Sequence, residues 1–269
     1  MKKIGIIGAG NMGEAIIKGL VSWPCLFSCN YVIVSDSSSD RLKYIKKNYK
    51  VKTVSYNEEL IVLVDVIILA VKPQHIYDVL SEIGKFIDQQ KLVISVAAGI
   101  KIKCIESRLS GKAPVIRVMP NMPALAQKGV SAFCCGRFAE DRHKKAAFNI
   151  LSNIGEVVEV KERMMDAVTA ISGSGPAYFF FLMEQLIKIG VNEGLDRNIA
   201  VKLAVQTALG AAELARQNNN DPQELRARVT SKGGTTEAAF KIFEKEGLGK
   251  ILEKGVKAAI KRSKELSCL

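Results

Sequence analysis

Histidine is almost absent from this chain of 269 residues, which has only His75 and His143. Cys25 and Cys29 form one C-x3-C pair, but no second cysteine or histidine pair completes a zinc set, so we expect no metal site. The six cysteines are scattered through a long chain rather than packed into a small secreted framework. This usage predicts reduced thiols and a cytoplasmic protein.

Long hydrophobic runs are also lacking. The segment Val62–Val71 contains Asp65 and is far shorter than the roughly 20 apolar residues that a membrane-spanning helix needs. The apolar run after Lys2 and Lys3 breaks at Gly8 and then becomes helical in period, which indicates a buried strand rather than a signal peptide. We therefore expect no transmembrane segment and no membrane partner.

Acidic residues are in deficit, with 27 Asp and Glu against 39 Lys and Arg, a formal net charge of +12. Aromatic residues make up only 6% of the chain, and none is interleaved with the dispersed lysines as nucleic-acid stacking would require. The charge therefore favours an anionic small-molecule ligand over nucleic acid.

Short β-rich runs alternate with helical patterns up to about Val160, and helical patterns alone follow. This rhythm predicts a mostly parallel sheet covered on both faces. Val66–Val71 and Leu92–Val96 are apolar without alternation, as central strands are. The predicted strands are Ile4–Ile7, Tyr31–Ser35, Val51–Val54, Val66–Val71, Leu92–Val96, Val115–Met119, Val130–Cys134 and Val157–Val160. The predicted helices between them are Met12–Val21, Asp40–Asn48, Glu58–Val64, Ile76–Ile87, Lys101–Leu109 and Asp141–Ile154.

The later helix Ala200–Arg216 has small residues all round and little to face water. The C-terminal segment is too small to enclose such a helix alone, so we expect it to pack against a second copy of the chain. The aromatic run Tyr178–Phe181 is expected to lie in the core or at the same contact. The predicted breaks within the segment are at 190–196, 218–222 and 230–236.

A glycine motif, G-x-G-x-x-G, follows the first strand and opens the first helix. Gly8 allows the tight turn, Gly10 allows a pyrophosphate to approach the backbone, and Gly13 allows helix and strand to pack closely. Free N–H groups at the helix N-terminus suit phosphate. We therefore predict an α/β fold with an N-terminal Rossmann-type dinucleotide-binding domain, residues 1–161, and a C-terminal all-helical dimerisation and substrate-binding domain, residues 162–269.

The end of the second strand leaves the choice of dinucleotide open. Asp36 is suited to the 2′-hydroxyl of NAD, whereas the following serines and Arg41 are suited to the 2′-phosphate of NADP. A further alternative is that Ser39 or Asp40 only caps the next helix. Lys72, after the fourth strand, is either a phosphate or substrate contact or an exposed lysine on a turn.

Six blocks of sequence, in this order and at these intervals, resemble the pyrroline-5-carboxylate reductase family over essentially the whole chain. They are GIIGAGNMGEAI, AVKPQ, SVAAGI, RVMPNMPA, SGSGPAY and TSKGGTTEA. The resemblance implies reduction of 1-pyrroline-5-carboxylate to L-proline, the last step of proline biosynthesis, with NADP(H) or alternatively NAD(H). The small-residue helix Ala200–Arg216 predicts a homodimer, with a higher oligomer of dimers left open. Lys232 departs from the pattern at a position that is often proline.

The resemblance also assigns residues to the site. Those implied to hold the cofactor are Ile7, Gly8, Ala9, Gly10, Asn11 and Met12 at the pyrophosphate, Ser35, Asp36, Ser37 and Asn57 at the adenosine, Ala70, Val71, Lys72, Pro73, Val96, Ala97 and Ala98 along its path, and Met119, Pro120 and Asn121 near the nicotinamide. Those implied to bind the substrate carboxylate and ring nitrogen are Ser231, Gly233, Gly234, Thr235 and Thr236.

The residues themselves fit an imine substrate. A ketone needs a proton donor at its oxygen, but both histidines are expected at the surface and the helix after Pro176 has no lysine before Lys188. A protonated cyclic imine needs only positioning and a carboxylate clamp, which Gly233–Thr236 offers, with Thr236 as the expected contact to the imine nitrogen. The alternatives are a hydroxy-acid dehydrogenase, a cofactor-sensing regulator and a nucleic-acid binder.

Overall fold

A computed structural model describes residues 2–22, 31–217 and 221–267 of the chain. Cys25, Cys29 and Cys268, and residues 218–220 of one predicted break, lie outside these described residues.

Eight strands form one sheet in the order β3-β2-β1-β4-β5-β6-β7-β8. Every predicted strand is present, with small shifts at some ends; the fourth strand, for example, ends at Leu69 rather than Val71. The bounds are β1 Ile4–Ile7, β2 Val32–Ser35, β3 Lys52–Val54, β4 Val66–Leu69, β5 Leu92–Ser95, β6 Val115–Met119, β7 Gly129–Cys135 and β8 Gly155–Glu159.

The sheet is parallel except where β6 meets β7. In register, Ile7 of β1 pairs with Ser35 of β2 and with Leu69 of β4, and Leu69 pairs with Ser95 of β5. Because these strands end level with one another, the loops that follow them emerge together at one edge. This is the edge at which open α/β sheets bind ligands.

The helices lie between the strands up to β8 and follow one another after it. Their bounds are α1 Asn11–Ser22, α2 Ser39–Tyr49, α3 Asn57–Leu63, α4 Ile76–Ile83, α5 Ile102–Glu106, α6 Asp141–Leu151, α7 Met165–Val168, α8 Gly175–Asn192, α9 Arg197–Arg216, α10 Pro222–Arg228, α11 Thr235–Lys245 and α12 Leu248–Leu266. The expected cap of α2 is corrected: neither Ser39 nor Asp40 but Ser38 is the N-cap, and its side chain accepts a hydrogen bond from the Arg41 N–H.

Two hydrophobic clusters cover the two faces of the sheet. Along β4, Val66 and Ile68 belong to the cluster that includes α1 and α6, whereas Ile67 and Leu69 belong to the cluster that includes α3 and α4. All four residues of β4 and of β5 are buried. The prediction that these two are central strands, buried on both faces, is confirmed.

His143 was expected at the surface, and this prediction is wrong: it is only 5% exposed. Its ring folds back over the start of α6, where Nδ1 accepts a hydrogen bond from the Glu140 N–H at 3.0 Å. The surrounding lysines suggested a fully solvated helix. His143, three residues after the N-cap Glu140, is instead buried and accepts the backbone N–H of that N-cap. His75 is exposed, as predicted.

The antiparallel pair β6 and β7 encloses a buried charge. Arg117 lies 3.2 Å from the Glu162 carboxylate, which also accepts the Ile102 N–H at 2.8 Å, so one carboxylate joins β6, α5 and the segment before α7. Opposite Arg117 on β7, burial raises the pKa of the Cys134 thiol to about 12. Cys134 is therefore an uncharged packing residue and not a nucleophile.

The chain divides into two compact units, one of residues Met1–Gly173 and Ala259–Leu269 and one of Ser174–Ala258. The last turns of α12 thus belong to the first unit, in which the buried Ser263 hydroxyl donates to Asp166 at 2.7 Å. The predicted boundary between residues 161 and 162 remains a prediction.

The second unit exposes large apolar side chains. Phe179 and Phe181 on α8 are 63% and 62% exposed, and Leu209 on α9 is 61% exposed. Only Ala200 and Ala204 of α9 are buried. The aromatic run of α8 is therefore not core within the chain, and the apolar faces of both helices need a further partner.

Candidate functional site

Three backbone hydrogen bonds join the loops at the carboxyl edge of the sheet. The Gly8 N–H donates to Ser35 O at 2.9 Å, the Ala70 N–H to Ile7 O at 2.8 Å, and the Val96 N–H to Leu69 O at 3.0 Å. The structure thus brings together the ends of β1, β2, β4 and β5, from which most of the predicted cofactor residues come.

The glycine motif has a different requirement at each position. Gly8 has φ +96°, and an added Cβ would lie 2.8 Å from the Ala70 backbone. At Gly13 a Cβ would lie 2.1 Å from the Gly8 carbonyl oxygen, whereas at Gly10 it would meet no protein atom within 4 Å. Gly8 and Gly13 therefore serve the turn and the helix packing. The space at Gly10 faces no protein, as a pyrophosphate contact requires.

The glycine loop is tied to the end of β2 by two side chains. Asp36 accepts the Ala9 N–H at 2.7 Å and the Ser38 N–H at 2.8 Å. Arg41 donates from Nε to the Ala9 carbonyl at 2.5 Å and pairs with Glu14 on α1. The loop is thus held in shape before any ligand binds, which reduces the entropy cost of binding.

Glu14 is the centre of this bracing. Partial burial by itself raises the pKa of the Glu14 carboxyl, but hydrogen bonds from Tyr49, at 2.6 Å, and from Arg41 outweigh it, and the pKa is lowered. The carboxylate is therefore ionised at neutral pH, and it engages the guanidinium of Arg41. Arg41 is the cation that the sequence offered for a 2′-phosphate.

A cavity of about 330 Å³ lies between the glycine turn and α4. Of the predicted cofactor residues, Ile7, Gly8, Asp36, Ser37, Asn57 and Val71 line it. His75, Asp78, Val79 and Glu82 also line it, and sequence reasoning missed them as site residues. Their spacing could have identified them, because positions 75, 78, 79 and 82 lie on one face of a helix that starts at the carboxyl edge of the sheet.

Ser35 lies beneath this cavity rather than in its wall. It is fully buried, and its hydroxyl donates to Asn57 Oδ1 at 2.7 Å, while Asn57 Nδ2 donates to Glu82 at 2.8 Å. Ser35 therefore orients Asn57, and its side chain is not free for a ribose.

The segment predicted to lie near the nicotinamide begins at Met119, the last residue of β6, and continues into the following turn. Pro120 is buried, and Asn121 accepts the Val130 N–H through Oδ1 at 2.9 Å, which fixes the turn to β7. A Cβ on Gly173 would lie 2.5 Å from the Met119 methyl, so Met119 packs against Gly173 because glycine has no side chain.

Gly175 and Pro176 begin α8, as a purely structural role of the glycine–serine–proline motif predicts. Lys72 and Pro73 are exposed on the turn after β4.

The predicted substrate turn lies in the second unit and opens α11. Gly233 has φ +77°, and its N–H donates to Glu237 at 2.9 Å, while the Gly234 N–H donates to Ser231 O at 3.0 Å. The pKa of Glu237 is lowered by the Gly233 N–H and by Lys241. Gly233 and Gly234 thus already have acceptors, and the N–H groups left at the start of the helix are those of Thr235, Thr236 and Glu237.

Neither a metal cluster nor a membrane span is found in the described parts of the chain. No group of three or more His, Cys, Asp or Glu side chains there could hold a metal ion. None of the described helices has both the length and the apolar character to cross a bilayer.

A dinucleotide fits this edge of the first unit. The site supplies a positive-φ glycine turn, an open approach at Gly10 and the N-terminus of the twelve-residue helix α1. The fold and the cavity define a dinucleotide-binding oxidoreductase. In agreement, residues 3–99 match the family described as "NADP oxidoreductase coenzyme F420-dependent", and residues 162–266 match "Pyrroline-5-carboxylate reductase dimerisation".

Full-length relatives narrow this class. The chain is 40% identical to pyrroline-5-carboxylate reductase of Corynebacterium melassecola over 99% of both chains. It is 38% identical to pyrroline-5-carboxylate reductase 1 of Bacillus subtilis, over 99% of this chain and 90% of that one. The chain belongs to the pyrroline-5-carboxylate reductase family.

Solved structures agree with this assignment. The enzyme from Coxiella burnetii superposes with a TM-score of 0.93 at 35% identity, covering 99% of this chain and 98% of that chain. The Plasmodium falciparum enzyme, whose structure has NADP bound, superposes with a TM-score of 0.88 at 32% identity and the same coverage. The resemblance stated from the sequence motifs is confirmed.

The glycine geometry predicts opposite behaviour for two alanine variants. Gly10→Ala places its Cβ in open space, so we expect near-normal thermal stability but at least about tenfold weaker dinucleotide binding, because the methyl group meets the pyrophosphate. Gly13→Ala drives its Cβ into the Gly8 carbonyl, so we expect it to destabilise the fold by about 1–3 kcal/mol. Thermal unfolding and NADPH fluorescence titration of both variants measure this. Equal loss of stability in the two would contradict the assignment of Gly10.

Proposed function

We propose that this protein reduces the C=N bond of 1-pyrroline-5-carboxylate to give L-proline, the final step of proline biosynthesis, with NAD(P)H as the reductant. Family membership over the whole length and the braced dinucleotide cavity support this proposal. The observation that carries it is the turn at Ser231–Glu237, which leaves helix N–H donors and a threonine hydroxyl for an anionic substrate.

The reaction requires little general acid–base catalysis from the protein. When bound, the reduced nicotinamide supplies a hydride to the imine carbon. The protonated imine nitrogen receives the electron pair of the C=N bond and becomes a neutral amine, so no proton donor has to act at a developing oxyanion. This accounts for a site with one exposed histidine, His75, and no catalytic histidine–carboxylate pair among the described residues.

The first turn of α11 is the proposed substrate clamp. The N–H groups of Thr235 and Thr236 bind the substrate carboxylate, and the helix dipole favours its negative charge. The Thr236 hydroxyl contacts the ring nitrogen. Ser231, Gly233 and Gly234 shape the turn, with Glu237 holding the Gly233 N–H at 2.9 Å so that the loop keeps its curvature. Lys232 is exposed and leaves this bond in place.

Both dinucleotides remain candidates for the reductant. The family member from Plasmodium falciparum binds NADP, which favours NADP(H). In this chain Arg41 is paired with Glu14, and the cavity wall carries Asp36, Asp78 and Glu82, which leaves NAD(H) as the alternative. A 2′-phosphate would have to recruit Arg41 from Glu14 or rely on Ser37 and its neighbours.

The proposed assembly is a homodimer, with a higher oligomer of dimers as an extension. The exposed apolar residues of α8 and α9 and the dimerisation family match over residues 162–266 support it. Cytoplasmic location is proposed as well, since Cys104, Cys134 and Cys135 are free thiols in the described part of the chain.

The activity is tested with 1-pyrroline-5-carboxylate and either NADPH or NADH, following nicotinamide absorbance and the appearance of proline. We expect turnover with the imine and none above background with pyruvate, because the site lacks the proton donor that a ketone needs. Binding of both dinucleotides without consumption of either would contradict the proposal and favour a cofactor-sensing protein.

Thr236→Ala tests the clamp. Loss of the hydroxyl is expected to lower kcat/KM for the imine by about 10- to 100-fold while NADPH affinity changes less than about twofold, because removing a hydrogen bond to a charged group costs about 1.5–3 kcal/mol. Thr236→Ser, which keeps the hydroxyl, should retain most activity. Thr230→Ala is the control, since its hydroxyl donates to Arg226 O. Weakening of NADPH binding equal to the loss of turnover would place Thr236 elsewhere.

Leu209→Glu tests the dimer. A carboxylate on the exposed apolar face of α9 should dissociate the assembly at micromolar concentration. Its negative charge would be buried between two copies without a partner of opposite charge. Lys202→Glu, a charge change at an exposed polar position of the same helix, should leave the dimer intact. Sedimentation equilibrium of both variants gives the answer, and a dimeric Leu209→Glu would exclude this face.

A further inference from the structure

A second cavity lies at the opposite edge of the sheet from the dinucleotide cavity. It is lined by residues that precede β1, β5 and β6 and by the segment between β7 and α6; because β7 runs antiparallel to β6, it ends at this edge. The cavity has a volume of about 620 Å³, against about 330 Å³ at the dinucleotide end. Nothing in the proposed reductase chemistry uses it.

The wall of this cavity is strongly basic. Lys2, Lys112, Arg137 and Arg142 line it, and Glu140 is the one acidic residue among them. Arg142 lies 2.9 Å from the Glu140 carboxylate. Lys2, Lys112 and Arg137 form no ion pair with any described residue, so three cations from three different segments remain uncompensated around one space.

His143 adds a donor to the same wall, at a ring nitrogen that is open to solvent although the rest of the side chain is buried. Its Nδ1 accepts the Glu140 N–H at 3.0 Å, so in the neutral ring the proton is on Nε2. No described group accepts a hydrogen bond from Nε2, although the residue is only 5% exposed. Burial lowers the pKa of His143, and the charges of Arg142 and Lys2 lower it further against the opposing charge of Glu140.

The N-terminus of α6 points to the same ligand chemistry. This helix has eleven residues and begins at Asp141. The Glu140 and His143 N–H groups are already bonded within its cap, so the Asp141 and Arg142 N–H groups are the ones left to add positive potential beside the cavity. Half-buried Phe138, with the Arg137 guanidinium 5.7 Å from its ring centroid, forms the apolar part of the wall.

We propose that this cavity is a binding site for a small oligophosphate, such as pyrophosphate or the phosphate chain of a nucleotide. Cations on three separate segments can engage a chain of phosphates simultaneously, and arginine forks and helix N–H groups both match phosphate oxygens. The site is separate from the dinucleotide cavity and independent of the proposed reaction.

Proton NMR of the two histidines tests this proposal directly. Full-length protein saturated with NADP⁺, which blocks the dinucleotide cavity, is titrated with pyrophosphate, and His143 and His75 are assigned with His143→Gln and His75→Gln. An anion beside His143 stabilises its charged form, so we expect the His143 pKa to rise by about one pH unit on saturation, with Kd below about 1 mM. The His75 resonance should not move.

Two matched double variants, each of which removes two positive charges, test whether the charges at this cavity bind pyrophosphate. Lys112→Ser/Arg137→Ser should weaken pyrophosphate binding at least about tenfold with reductase activity unchanged, whereas Lys46→Ser/Lys47→Ser, which removes two exposed charges from α2, should bind as the parent does. Equal affinity in both double variants, a shift of His75 instead of His143, or no saturation would overturn the proposal. Tighter binding of citrate than of pyrophosphate would overturn the assignment to phosphate.

Discussion

The approach of α1 to the turn after β1 is the contact on which the dinucleotide end depends. Gly13 lies so close to the Gly8 carbonyl that no side chain fits between them. This closeness brings the N-terminus of α1 to the carboxyl edge of the sheet, where the ends of β1, β2, β4 and β5 are level. A helix one side chain further away would leave its N–H groups short of the pyrophosphate.

Bracing of the glycine loop follows from the same contact. Asp36 and Arg41 hold Ala9 by its N–H and its carbonyl, and Glu14 holds Arg41 in turn. Asp36 and Arg41, which the sequence suggested as the residues that distinguish NAD from NADP, are thus part of the scaffold that holds the glycine loop. The choice between NADPH and NADH is therefore coupled to the stability of the loop, because a ligand that recruits Arg41 must compete with Glu14.

The two edges of the sheet carry opposite charge. The wall of the carboxyl-edge cavity contains Asp36, Asp78 and Glu82, whereas that of the amino-edge cavity contains four basic residues and Glu140. Part of the excess charge of +12 is thus concentrated at the amino-edge cavity. The proposed substrate turn in the second unit offers an anion helix N–H groups, without a basic side chain in the turn other than exposed Lys232.

The sequence by itself determined the order of strands and helices, the glycine motif and the family, because apolar periodicity, glycine spacing and contiguous motifs are local properties. Only the tertiary structure decided that Ser35 is buried beneath Asn57, that Arg41 is held by Glu14 and that His143 is buried. The Ser35–Asn57 and Arg41–Glu14 contacts join residues 22 and 27 positions apart, on different elements. Which polar side chain finds which partner depends on packing across elements, and no local pattern of residues encodes it.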